Sequence, residues 1–194
     1  MALEMVERDV QGAFARGRSL ALNISSLLLV GYGNTSRRDD GVALHILRCL
    51  RRRLGLLLDE WEAGTILCPH DGAYKPLAMI CVHQLAPELA ELAAQYDAVI
   101  FIDAHVAAAD WEPVAWQEIS PAYQAGIVSH HLKPSVVLAL SHSLYGGHPK
   151  GYTLSVLGHD FDFGEELSSN TLPLAQEAVF FLLGLIQSEG LAPT

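Results

Sequence analysis

Apolar runs separated by polar, glycine-rich gaps divide the chain into short segments of two kinds. Residues Ser25 to Val30 end in a continuous apolar stretch of strand length, and Gly31 and Gly33 supply a turn behind it. From Asp40 to about Arg53, Val42, Leu44, Ile46, Leu47 and Leu50 recur mostly at helical spacing. Asp39 or Asp40 is placed to cap that helix and Gly55 to end it. Leu56 to Trp61 is a candidate strand, and "EAGTILCPHDGAYKP" is rich in turn formers and reads as a loop or insertion. "LAMICVHQL" is a second strand. "APELAELAAQYD" starts a short helix, with Pro87 in a first-turn position where its missing N–H costs nothing.

The second half continues the alternation. "AVIFIDAHV" has the unbroken apolar character of a central strand covered on both faces, ending in Asp103. "WEPVAWQEIS" reads as an edge strand, because Pro113 cannot donate to a ladder. "KPSVVLALSHSLYG" is a helix stopped by Gly146 and Gly147, and "GYTLSVLGH" is another strand. Ser168 to Ser188 reads as a long helix, with Leu174, Ala178, Phe181, Leu182 and Leu185 on one stripe. Strands alternating with helices imply a three-layer α/β sandwich, with helices on both faces of a mostly parallel, twisted central sheet. Residues 1–24 are expected to be an N-terminal extension and 25–194 a single domain.

Composition narrows the function classes. Of 194 residues, 51% are hydrophobic and 18% charged, which suits a buried sheet and argues against disorder. The 12 basic and 22 acidic residues leave a formal charge of −10 with the basic residues scattered, so the cationic face that nucleic acid requires is not expected. Cys49, Cys68 and Cys81 form no C-x-x-C pair and read as reduced, partly buried thiols of a cytoplasmic protein. The first two dozen residues carry too many charges for a signal peptide, and no run reaches membrane-spanning length.

In a doubly wound sheet, ligands gather at the carboxyl ends of the strands. That rule selects the Gly31–Asp40 turn, the strand end at Asp103 and the loop around His130. A dinucleotide fingerprint would need a third glycine where Ser36 stands, and two carboxylates on the phosphate route would repel pyrophosphate. No G-x-x-x-x-G-K-[ST] loop, H-E-x-x-H helix or G-x-S-x-G elbow occurs. What remains is carboxylates and imidazoles, a donor set that suits a divalent cation such as nickel or zinc. Asp39, Asp40 and Asp103 could each equally be helix caps.

"GYGNTSRRDDG" resembles the G-x-G-N-x-x-x-x-D-[DE] opening of the hydrogenase maturation proteases, which trim the large subunit of [NiFe] hydrogenases. "VIFIDAH" resembles that family's strand ending in a ligand aspartate, and "SHHLKP" its histidine-bearing loop. "LSVLGHDFDFGEELSSNT" is similar to its last strand, glycine turn and final helix start, and "HQLAPELAEL" to a stretch in one branch. The resemblance implies an endopeptidase that removes a C-terminal peptide from a nickel-loaded large-subunit precursor. Nickel would arrive with the substrate, and no acyl-enzyme is expected. The implied catalytic, metal-contacting residues are Asp40, Asp103 and a histidine. An H-x-L pattern selects His130 and an S-x-H pattern His131, with His130 preferred.

His105 has no counterpart in the pattern and is treated as peripheral, although it shares Asp103's face if the strand continues. Arg37 and Arg38 are expected to pair with the neighbouring aspartates or touch a substrate tail. Two other readings keep the fold but change the activity. One is a metal-checkpoint chaperone that does not cut, and the other a nucleotide-binding regulatory domain.

Overall fold

The computed structural model of the protein describes residues 21–56, 76–108, 111–123 and 132–193. Among these residues the strands are β1 (Leu27–Tyr32), β2 (Leu77–Val82), β3 (Ala98–His105), β4 (Val114–Ile119) and β5 (Lys150–Leu157). They form one sheet in the order β2-β1-β3-β5-β4, parallel except for the β4–β5 pair. The helices are α1 (Val42–Arg53), α2 (Leu89–Ala93), α3 (Pro134–Tyr145) and α4 (Thr171–Ser188). The α/β sandwich expected from the sequence is the observed architecture.

Alternation along the strands sorts the core into two layers. Leu27 and Leu29 of β1, Ile100 and Ile102 of β3, and Leu154 and Val156 of β5 pack with α1 and α4. Leu28, Val30, Val99 and Phe101 point the other way and pack with α2 and α3. Every one of these ten strand residues is at most 1% exposed. The central strands therefore lack a polar face, which is why their sequences read as continuous apolar runs.

Helix α4 has the length and composition of a bilayer-crossing segment. Its Ala175, Ala178, Phe181, Leu182, Leu185 and Ile186 are nevertheless buried against the sheet, so its apolar stripe serves the core.

Several boundaries differ from the sequence reading for local reasons. Strand β1 runs through Gly31 to Tyr32. A Cβ at Gly31 would meet the Leu47 side chain at 2.8 Å and Ala43 at 3.1 Å, so the glycine there lets α1 lie close on the strand. Helix α1 starts at Val42 because Arg38–Gly41 forms a 3-10 turn first. Its N-cap is Gly41, with no side-chain cap, so neither Asp39 nor Asp40 plays the capping role for α1. The candidate strand from Leu56 to Trp61 falls almost wholly outside the described residues, as do most of the following loop, Cys68 and residues 1–20.

The chain goes outward from β1 through α1 to β2 and returns through α2 to β3, which pairs with the other side of β1. The carboxyl ends of β1 and β3 thus flank the point where the winding reverses, where open α/β sheets bind ligands. Asp40 and Asp103 both belong to this edge.

Candidate functional site

The first wall of the site is the turn leaving β1. Gly33 has φ +141°, and a Cβ there would collide with the Asp40 carbonyl oxygen. Only glycine fits such a backbone at such a contact. The next residue, Asn34, donates its backbone N–H to Asp40 Oδ2 at 2.9 Å, and its side-chain oxygen accepts from Ser36 N at 3.0 Å. Arg37 N to Asn34 O and Asp40 N to Arg37 O, at 3.0 and 2.9 Å, close the loop on itself. The G-x-G-N spacing therefore wraps the chain around Asp40. Its half-buried carboxylate receives one described hydrogen bond and keeps acceptor capacity free.

The second wall is β3. The strand continues to His105, so Asp103 lies within it and is not a helix cap. Alternation puts Asp103 on the face of Val99 and Phe101, the side covered by α2 and α3. Tyr32, at the end of the neighbouring β1, donates its hydroxyl to Asp103 Oδ2 at 2.7 Å. Ser155 on β5 is the register partner of Asp103, on the same face of the sheet. Burial pushes the Asp103 carboxyl above its ordinary range; the Ser155 and Tyr32 hydroxyls pull it back, and the Asp40 charge raises it again. Burial, and then the Asp103 charge, drives the Tyr32 phenol upward as well, so it stays a neutral donor.

Two carboxylates within electrostatic reach of each other, one of them held against desolvation, form a place where a cation relieves a standing repulsion. Asp40 and Asp103 alone are two ligands, and no group of three His, Cys, Asp or Glu side chains suited to a metal occurs among the described residues. The remaining predicted ligands, His130 and His131, lie outside the described residues. Leu132, which follows His131, packs against the same apolar cluster as Tyr32.

Asp39 belongs to a different construction. It is fully buried, and its carboxylate accepts from His159 N and Asp160 N at 2.8 Å, Ser168 N and Oγ at 2.7 Å, and Thr171 Oγ1 at 2.8 Å. Burial alone would raise this carboxyl; the backbone N–H groups of Ser168, His159 and Asp160 and the Ser168 hydroxyl outweigh it and lower the value to about 2. Asp39 thus ties the turn after β1 to the segment between β5 and α4. Backbone bonds from Arg38 N to Gly164 O at 2.8 Å and from Gly164 N to Ser36 O at 3.0 Å sew the same seam. The two arginines join it: Arg38 pairs with Asp160 at 3.4 Å, and Arg37 Nε donates to Phe161 O at 3.0 Å. They turn to the 160–164 segment and do not pair with Asp39 or Asp40, the first of the two partners expected for them.

The sequence reading did not single out Tyr32 and Ser155. Ser155 carried a signal, a polar residue at an inward position of a buried strand. Tyr32 carried none, since its direction depends on where β1 ends. His105, treated as peripheral, shares Asp103's face and contacts Ser155 Oγ through Nδ1 at 3.0 Å.

The sequence matches no family profile and no curated protein. Its fold does match solved structures. The hydrogenase maturating endopeptidase HybD from E. coli superposes with a TM-score of 0.61 at 17% identity, over 85% of this chain and 94% of that one. The [NiFe] hydrogenase maturation protease HycI from Thermococcus kodakarensis KOD1 gives 0.58 at 15% identity, over 84% and 94%. The [NiFe] hydrogenase maturation protease HybD from Thermococcus kodakarensis gives 0.54 at 20%, over 87% and 99%. The chain has the fold of the hydrogenase maturation proteases across most of its length.

Proposed function

We propose that the protein is an endopeptidase that removes a C-terminal peptide from the nickel-loaded precursor of a [NiFe] hydrogenase large subunit in the cytoplasm. The observation that carries this reading is the placement of Asp40 and Asp103 at one sheet edge, where the winding reverses, in a fold shared with maturation proteases. A glycine turn that wraps the chain around Asp40 and leaves carboxylate lone pairs free suits a substrate that carries its own cation. Nickel is then cargo of the precursor, read by Asp40, Asp103 and a histidine of the 130–131 pair, His130 by preference. Carboxylates and imidazole are ligands that nickel accepts.

Incubation with nickel-loaded and nickel-free precursor, followed by intact mass, tests the proposal. The loaded precursor should lose a C-terminal fragment and the nickel-free one should stay whole. Equal cleavage of both overturns metal-guided recognition. Binding of loaded precursor without cleavage marks a checkpoint chaperone instead. Because the ion belongs to the substrate, purified protein should hold nickel or zinc only weakly, and tightly bound stoichiometric zinc would indicate a resident metal centre.

A further inference from the structure

Asp103 is flanked from both neighbouring strands. Tyr32 reaches it from β1 with a hydroxyl 2.7 Å from Oδ2, and Ser155 stands beside it on β5 in direct register. Ser155 is itself buried, at 4% exposure, and its oxygen lies 3.0 Å from His105 Nδ1. The four side chains lie together on one face of three adjacent strands, joined by the Tyr32–Asp103 and His105–Ser155 hydrogen bonds and by the Asp103–Ser155 register pair.

We infer that Ser155 donates its hydroxyl to Asp103 across the register pair as Tyr32 does from the other side, so that the two are positioning residues which hold the Asp103 carboxylate in one orientation toward the substrate and, through Ser155, select the tautomer of His105. The inference rests on the reading above for the contact between Asp103 and substrate. A hydroxyl carries one hydrogen. With its hydrogen given to the carboxylate, Ser155 can meet His105 only as an acceptor. His105 must then carry its hydrogen on Nδ1. Its Nε2 is left as a bare acceptor, in keeping with the observation that Nε2 is buried and finds no partner among the described residues. Trp111 lies across the imidazole with ring centroids 4.8 Å apart and limits its rotation. The direction of every bond among the four follows from Asp103 accepting at their centre.

The alternative explanation is that two buried hydroxyls simply found a convenient acceptor. The consequences differ. A carboxylate that must present a fixed oxygen loses turnover when its clamps are removed, even when the fold survives. Outer partners that orient a ligand typically cost about 10- to 100-fold in activity or affinity when deleted.

The test uses full-length protein with Tyr32→Phe, Ser155→Ala and Ser155→Thr. With nickel-loaded precursor, Tyr32→Phe and Ser155→Ala should each lower kcat by about tenfold or more with KM nearly unchanged. Ser155→Thr, which keeps the hydroxyl on a strand-compatible side chain, should restore most of the loss. Long-range nitrogen–proton NMR of His105 should show hydrogen on Nδ1 in the parent and in Ser155→Thr, and a tautomer mixture in Ser155→Ala. Hydroxyl deletions that leave kcat within about twofold of a parent that does cut would overturn the positioning role, as would failure of the threonine variant to rescue. Hydrogen on Nε2 of His105 in the parent would overturn the bond directions. If the parent does not cut at all, the function proposed above fails, and the tautomer experiment decides the present inference by itself.

Discussion

Two neighbouring aspartates, one peptide bond apart, do opposite work. Asp39 faces inward and its two oxygens accept five hydrogen bonds from the segment 159–171. Asp40 accepts one, from Asn34, and stays half open at the edge of the sheet. Asp103, further along that edge, lies between these extremes, with the Tyr32 hydroxyl donating to it from β1. The comparison teaches that a saturated carboxylate has nothing left to offer a ligand, however suggestive its place in a motif. The spare lone pairs of Asp40 and Asp103 distinguish them.

Four perturbations break or sharpen that contrast. The largest expected effect is on the open pair. Asp40→Asn and Asp103→Asn should lose nickel-dependent cleavage altogether, because a neutral amide is a far poorer ligand for a divalent cation. Asp40→Asn should melt within about 1 kcal/mol of the parent, since it gives up a single half-buried hydrogen bond. Normal cleavage by both variants would remove them from the site.

Asp39→Asn comes next and acts on the fold. An amide offers one acceptor oxygen to five donors and turns its own N–H groups toward them, so a loss on the order of 3 kcal/mol is expected in urea unfolding. The same carboxylate sets a pH dependence. Its value in the folded protein, about 2, lies below the ordinary 3.8. Its stabilisation is therefore fully present above about pH 4 and is lost as pH falls through about 2. The stability gap between parent and Asp39→Asn should narrow on acidification, and a constant gap would show that Asp39 does not act through its charge.

Gly33→Ala links the two regions, because the added Cβ meets the Asp40 carbonyl in a backbone conformation that L side chains rarely adopt. It should cost about 1–3 kcal/mol and displace Asp40, lowering cleavage more than Arg38 variants do. Arg38→Gln is the smallest. Its pair with Asp160 spans 3.4 Å between side chains that are 41% and 34% exposed, and screening limits such a bond to less than about 1 kcal/mol in thermal melts. A larger loss would mean that the seam depends on the arginine charge as well as on Asp39.

Each region was legible in the sequence to a different degree. The sheet and its two layers follow from local patterning, because runs such as Leu27–Val30 and Ala98–Ile102 can be buried on both faces only in a central strand. The G-x-G-N turn and the acidic pair also announce an unusual strand end, since a glycine, an asparagine and carboxylates at that spacing make sense only where the backbone doubles back. Sequence alone thus determined the layer architecture, and the family resemblance pointed to Asp40 and Asp103, which the fold places at one edge of the sheet.

Spacing could not show which donors would saturate Asp39. Asp39's partners are more than a hundred residues away, and they reach it only after α4 packs beside α1 on one face of the sheet. Nor could it place Tyr32 and Ser155 beside Asp103, since they come from β1 and β5 and flank it only through sheet register. Local spacing records which backbone a segment prefers. Which donors arrive at a buried carboxylate depends on strand order and helix packing, and these are decided by the whole chain burying its apolar surface at once.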